Sequence, residues 1–241
     1  MDYQKQCQEF DTKIRSIQKI EPLDCYISDG VVNIEKWRHQ QIRPLFIGKE
    51  AYDKEGRLLW NYTDWLNNQP QDAFSASPRT WPTTAYLSFA LQNEFKNYND
   101  IPFIQDDERV ANALQNIAFI NIGKYGAETK TPARRLEELF VQNKHVLNNQ
   151  IEFYQPNIVI GWSTLDFFVK DEEFLRRFSK SDIIEHTKEG ITYWAANGRL
   201  FISAYHPASF EVSQEQYVNG IVDAVRECMS NKEIDLSLPS L

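Results

Sequence analysis

Two short islands put chemically able side chains where a buried strand should end. In the first, Gly48-Lys49-Glu50-Ala51-Tyr52 follows the apolar run from Pro44 to Ile47 and offers a carboxylate. In the second, His206-Pro207-Ala208-Ser209 follows Phe201-Ile202-Ser203-Ala204-Tyr205 and offers an imidazole. Open α/β sheets bind ligands in the crevice outside the carboxyl ends of their strands, so polar groups released there can converge on one pocket. A carboxylate from one strand end and an imidazole from another could then share a substrate.

The surrounding pattern supplies such strands. Residues 44–48, 117–121 and 157–161 are continuous apolar runs bounded by turn or polar residues, as buried parallel strands require. Residues 191–196 and 199–204 flank Asn197-Gly198, the strongest short hairpin signal, and the second arm delivers His206. Helices are predicted between them. Phe10, Ile14, Ile17 and Ile20 mark an amphipathic first helix that Glu21-Pro22 ends, and residues 83–95, 107–116 and 164–168 read as further helices. Thr131 offers an N-cap with Pro132 in the first helical position, opening a helix whose apolar face runs from Leu136 to Tyr154 and which Pro156 stops. Ser213 with Gln216 forms a capping box before a last helix with Tyr217, Ile221, Ala224, Val225 and Cys228 on one face. Between residues 52 and 82 the chain reads as loops around short helical pieces, placed over the site.

Strands separated by helices of this length require crossover connections. The expected fold is therefore α/β, a three-layer α/β/α sandwich around a mostly parallel four-stranded sheet. Its 241 residues, 42% of them hydrophobic, suit one domain, with residues 1–40 as a helical extension and 232–241 as a frayed tail.

Composition excludes several classes of function. A net charge of −8 argues against a duplex binder with an overall basic surface, so any nucleic-acid contact must be a local patch. Cys7, Cys25 and Cys228 are odd in number and widely spaced, which gives neither a disulfide framework nor a four-ligand metal site and suggests a reduced, cytoplasmic setting. No apolar run approaches the roughly 18–20 residues that span a bilayer, so no membrane partner is expected. With 15 Phe, 11 Tyr and 6 Trp, more rings are present than core packing demands, and some could stack on a ligand.

The islands also resemble the motifs of a known family, the uracil-DNA glycosylase superfamily. Its first motif reads G-Q-D-P-Y or G-E-x-P-G and its last H-P-S or H-P-A, beside Gly48 to Tyr52 and His206 to Ser209 here. Between them, Phe119-Ile120-Asn121-Ile122-Gly123-Lys124-Tyr125 resembles the family strand that ends in a base-reading Asn. Thr131-Pro132, Glu137 or Glu138, Asn149-Gln150-Ile151, Gln155-Pro156 and Ile158 to Gly161 follow in the family's order. The likeness runs from about Arg43 to Phe210.

The resemblance implies a DNA glycosylase-like hydrolase. It makes Glu50 the residue that orients water and stabilises a cation-like sugar, and His206 the donor to the base O2 as the pyrimidine leaves. It makes Asn121 the reader of the extruded base's Watson-Crick edge, since one amide both donates and accepts. Gly48 completes the base pocket, Tyr52 crowds the base C5, and Trp60 lies near where some subfamilies stack a ring on the base. Lys49, Arg79, Lys124, Arg134, Arg135 and Lys188 become candidate phosphate contacts, with Ser209 in the last motif and Phe210 as a wedge filling the emptied stack.

This chain departs from the family in four ways. Glu50 carries one more methylene than the usual Asp, Ala51 replaces the motif Pro, Glu211 falls where a basic residue is usual, and the iron-sulfur cysteines are absent. The expectation is accordingly a monomer without metal or cofactor, whose partner is single- or double-stranded DNA or a nucleobase-containing small molecule. A catalytically weak binding module and a hydrolase of free nucleosides or nucleotides stay open beside the glycosylase reading.

Overall fold

The computed structural model describes residues 3–17, 26–53, 60–127, 131–178, 186–188, 190–234 and 236. Its strands are β1 (Gly30–Val31), β2 (Pro44–Gly48), β3 (Ala51–Tyr52), β4 (Ala118–Asn121), β5 (Gly126–Ala127), β6 (Ile158–Trp162), β7 (His186–Lys188), β8 (Ile191–Ala196) and β9 (Arg199–Ala204). Seven form one mixed sheet in the order β1-β4-β2-β6-β9-β8-β7, and β3 pairs with β5 apart from it.

Four of the five strands read from the sequence form the parallel centre of that sheet, with β4, β2, β6 and β9 side by side, and the fifth is β8. The expected count of four is corrected to seven. The sheet is mixed because β1 runs antiparallel to β4, and β8 runs antiparallel to both β9 and β7. A two-residue turn at Asn197 (φ 52°) and Gly198 (φ 72°) joins β8 to β9, and such a turn permits only antiparallel pairing. β1 and β7, with two and three residues, are too short to carry a periodic signal.

The helices are α1 (Tyr3–Ile17), α2 (Ile34–His39), α3 (Tyr62–Asn68), α4 (Pro70–Ala76), α5 (Thr80–Gln92), α6 (Glu108–Asn112), α7 (Ala133–Tyr154), α8 (Leu165–Phe168), α9 (Glu172–Phe178) and α10 (Gln214–Ser230). They cover both faces of the sheet. Because side chains alternate along a strand, Phe46 joins the core under α3, α4, α5, α6 and α10. Leu45 and Ile47 join the core under α1, α2, α7, α8 and α9. Almost every residue of α5 is buried, its apolar side chains lying on all sides and the hydroxyls of Thr84 and Ser88 donating to the Thr80 and Ala113 carbonyls.

Several local signals match. Ser213 and Gln216 form the capping box of α10, and α7 ends on Gln155 in the left-handed conformation just before Pro156. Pro132 occupies the N-cap position of α7 instead of its first helical residue. The N-terminal segment is more than an outer helix, because Gly30–Val31 enters the sheet. Its expected end near Ile20 to Pro22, like Cys25, lies outside the described residues. In the expected tail, Ile234 and Leu236 bury against the α5 and α10 side of the core, and residues 235 and 237–241 lie outside the described residues. Cys7 and Cys228 are free thiols. Among the described residues no helix is long and apolar enough to cross a membrane.

Candidate functional site

Register brings the first island to the end of β2, an inner strand of the sheet. Gly48 is the partner of Asn121 across the parallel β2/β4 pair. Beyond the strands the ladder continues, with Ile122 N–H donating to Gly48 O at 3.1 Å and Gly123 N–H to Lys49 O at 2.8 Å. Ala51 and Tyr52 then pair with Gly126 and Ala127. The loops that carry Glu50 and Asn121 are thus one ribbon. Ala51, where the resembled motif has a proline, is buried and held by strand pairing instead of by a ring.

Glu50 is half-buried and lies over Gly123, where an added Cβ would stand 3.1 Å from Glu50 Oε2. Burial raises its carboxyl pKa, and the Arg135 guanidinium in the first turn of α7 opposes that rise. Arg135 therefore acts on Glu50. It also pairs with Glu138 at 3.6 Å, as does its more exposed neighbour Arg134 at 3.3 Å.

Asn121 is only 3% exposed. Its side chain fits because Gly48 has none: a Cβ there would lie 2.5 Å from Asn121 Oδ1 and 2.9 Å from Phe119 Cζ. The ring of Tyr62 meets Phe119, two residues before Asn121 on β4, edge-on at 4.7 Å. Trp60 is one ring removed, packed on Tyr62 at 4.9 Å with its Nε1 donating to Asp53 Oδ2. The ring in contact with the Asn121 strand is Tyr62, two residues on from the expected Trp60. Only the edge-on contact with Phe119, on the strand that bears Asn121, distinguishes them.

His206 lies two residues past β9 and is half-buried. Its ring packs against Trp162 at 5.3 Å, and Trp162 packs against Phe119 at 5.1 Å, so an aromatic floor joins the two islands. The backbone N–H of Ala208 donates to His206 Nδ1 at 3.1 Å, which leaves the proton of the neutral ring on Nε2. Burial and the nearby positive charge of Lys49 lower the His206 pKa to about 4. The ring is neutral at physiological pH, with its proton on Nε2. Lys49 thus links the islands electrostatically.

The remaining candidates separate. Phe210 is 89% exposed with the Arg79 guanidinium 4.3 Å over its ring, and Tyr52 is 63% exposed. Ser209 serves its own turn, donating its N–H to His206 O and accepting from Glu211 N–H at Oγ. Lys124 is a correction. Its side chain is fully buried, and Nζ donates to Asp29 and Gln150, so it cannot reach a phosphate. The sequence "Ile-Gly-Lys-Tyr" gives no sign of this, because its partner Asp29 lies 95 residues away. The Lys188 side chain lies outside the described residues.

A cavity of about 390 Å³ opens on the other side of β1, lined by Asp11, Ser28, Asp29, Asn33, Asn61 and Tyr154 among others. It contains none of Glu50, Asn121 and His206 and is separate from the candidate site. Among the described residues no group of three or more His, Cys, Asp or Glu side chains is placed to hold a metal.

No protein-family model and no curated protein matches this chain. The likeness to the glycosylases rests on the ordered motifs. The geometry adds a carboxylate, an amide and a neutral imidazole at the carboxyl ends of β2, β4 and β9.

Proposed function

We propose that this protein hydrolyses the N-glycosidic bond of uracil or a related damaged or modified base in DNA. In this reading the Asn121 amide pairs with O4 and N3–H of the extruded base. The bond from C1′ to the base nitrogen breaks, and the base leaves with the electron pair while Nε2–H of His206 donates to O2, where negative charge develops. Glu50 orients the water that attacks C1′ and accepts its proton, a role its raised pKa favours. Phe210, exposed beside Arg79, fills the space the base vacates.

The observation that carries the reading is His206. A ring held neutral, with its proton directed to Nε2 by the Ala208 N–H, is a preorganised donor for a departing anion. The supporting context is Glu50 and Asn121 at neighbouring strand ends.

A second reading has its own support. The burial of Lys124 removes one candidate phosphate contact from a chain of net charge −8, which favours a free nucleoside or nucleotide over a DNA strand. One experiment separates them. The protein is incubated with uracil-bearing single- and double-stranded oligonucleotides, followed by alkali, and in parallel with free nucleosides, beside Glu50→Gln and His206→Ala. Strand cleavage that both variants lose supports the glycosylase; salt-insensitive turnover of a nucleoside alone supports the second reading. Cleavage no greater than that of the variants on every base tried overturns the first.

A further inference from the structure

We infer that Asp29, Lys124 and Gln150 form a buried positioning unit for Asn121, resting on the reading of Asn121 as the base-recognising amide. β1 covers the outer edge of β4 only as far as the pair Gly30 and Phe119. The Asn121 N–H lies beyond that pair, and the Asp29 carboxylate takes the place of the missing strand: Asn121 N–H donates to Asp29 Oδ2 at 2.8 Å.

The carboxylate is itself held on every side. Lys124 Nζ donates to Asp29 Oδ1 and Oδ2 at 2.9 and 2.8 Å and to Gln150 Oε1 at 2.8 Å, which uses all three ammonium donors. Gln150 Nε2 returns a bond to Asp29 Oδ1 at 2.9 Å. Side-chain exposure is 0% for Lys124 and 1% for Asp29. The unit is also anchored through the backbone, because Ile27 N–H donates to Lys124 O at 2.9 Å and Lys124 follows Asn121 by three residues.

Such an arrangement is a poor way to gain stability. The desolvation of a buried ion pair can exceed its attraction, and well-packed apolar residues commonly do as well or better. Its geometric effect is specific. It fixes the last residue of β4 against a charged acceptor, and so sets the frame from which the Asn121 amide lies in the space left by Gly48. Asp29 touches no substrate in this account; it acts through Asn121.

Two double variants test the inference. Asp29→Asn/Lys124→Met removes both charges but keeps an oxygen to accept from the Asn121 N–H, while the freed Gln150 carbonyl can accept from the new amide. Asp29→Ala/Lys124→Met removes the same charges and the acceptor. Exchange of the Asn121 backbone amide is followed by NMR, with melting temperature and steady-state kinetics on uracil-bearing oligonucleotides. The expected result is faster Asn121 exchange in the alanine double variant alone. Its kcat/KM should fall on the order of a hundredfold, the penalty typical of a misplacement near 1 Å, while the asparagine double variant stays close to wild type. Equal Asn121 exchange in both double variants and wild type overturns the positioning role, whatever the activity. If wild type releases no base but the exchange difference is present, the positioning role stands and the glycosylase reading falls. Should the alanine variant fail to fold, Asp29→Asn with wild-type Lys124 takes its place. The role then requires Asn121 exchange to rise in that single variant and to recover in the asparagine double variant; absence of recovery overturns it.

Discussion

Gly48 and Asn121 face each other across β2 and β4, and a Cβ on Gly48 would stand 2.5 Å from Asn121 Oδ1. Glycine at this point is a condition for the amide's position, not a conformational need, because the same atom would also meet Phe119 Cζ at 2.9 Å. Gly48→Ala must displace the amide or the ring. Overpacking of this kind costs about 1–3 kcal/mol, so urea unfolding should show a modest loss of stability. Base recognition should fall much further, read as binding or cleavage at matched folded fraction.

His206 gives a pH prediction with a definite sign. Its folded pKa of about 4 lies below the ordinary value of 6.5, so the unfolded chain binds the proton more readily between them. Stability conferred by the neutral ring is complete above about pH 6.5 and drains as pH falls towards 4. Urea midpoints measured across that window should decline with acid, and less steeply in His206→Gln. A neutral donor also requires kcat/KM to be independent of histidine titration around neutrality.

Glu50 titrates under opposing influences, burial raising its pKa and Arg135 restraining the rise. Activity needs the carboxylate, so it is lost as pH falls through that pKa. Arg135→Ala releases the restraint and should move the acid limb of the pH–rate profile to higher pH, with Arg135→Lys intermediate. Glu50→Gln should lower kcat on the order of 10²–10⁴-fold while substrate binding persists.

Phe210 contributes almost nothing to the folded core, being 89% exposed. Phe210→Ala should alter stability by no more than about 0.5 kcal/mol, as surface changes usually do. Turnover on duplex substrate should fall more than on single strand, because only a duplex has a stack to fill. Parallel assays on the two substrates with one enzyme preparation decide it.

Arg43 is 1% exposed, and its Nε and Nη1 have no hydrogen-bond partner among the described residues. Burial lowers its pKa, and the neighbouring Arg199 adds to the effect. A long apolar side chain keeps the packing and removes the desolvated charge. Arg43→Met should therefore raise the melting temperature, in line with the roughly 1–4 kcal/mol gained when buried ionic groups give way to hydrophobic ones. A lower melting temperature would contradict this account.

What could be read in advance followed the range of the forces involved. The Asn197-Gly198 turn, the Ser213 capping box and strand Pro44–Gly48 are set by neighbours in sequence, and each was legible. The placement of Glu50, Asn121 and His206 at or just past strand ends was also legible, because polar residues released from apolar runs mark such ends. Lys124 was misread as a surface cation, since its burial depends on Asp29 and Gln150, which come from elements far away in the chain. Tyr62 was passed over for Trp60 for the same reason. Side chains facing a partner from a distant strand carry no local period.

Among the described residues the outer strands of the main sheet have only two and three residues, Gly30–Val31 and His186–Lys188. A sheet edge is a row of unpaired amides and carbonyls that invites a strand from another chain, and very short edge strands deny it a template. On one side that protection stands directly beside β4. Loss of the segment around Gly30 would bare the edge of the strand that ends in Asn121, so shortening the chain from its start should lead to aggregation through the recognition strand itself.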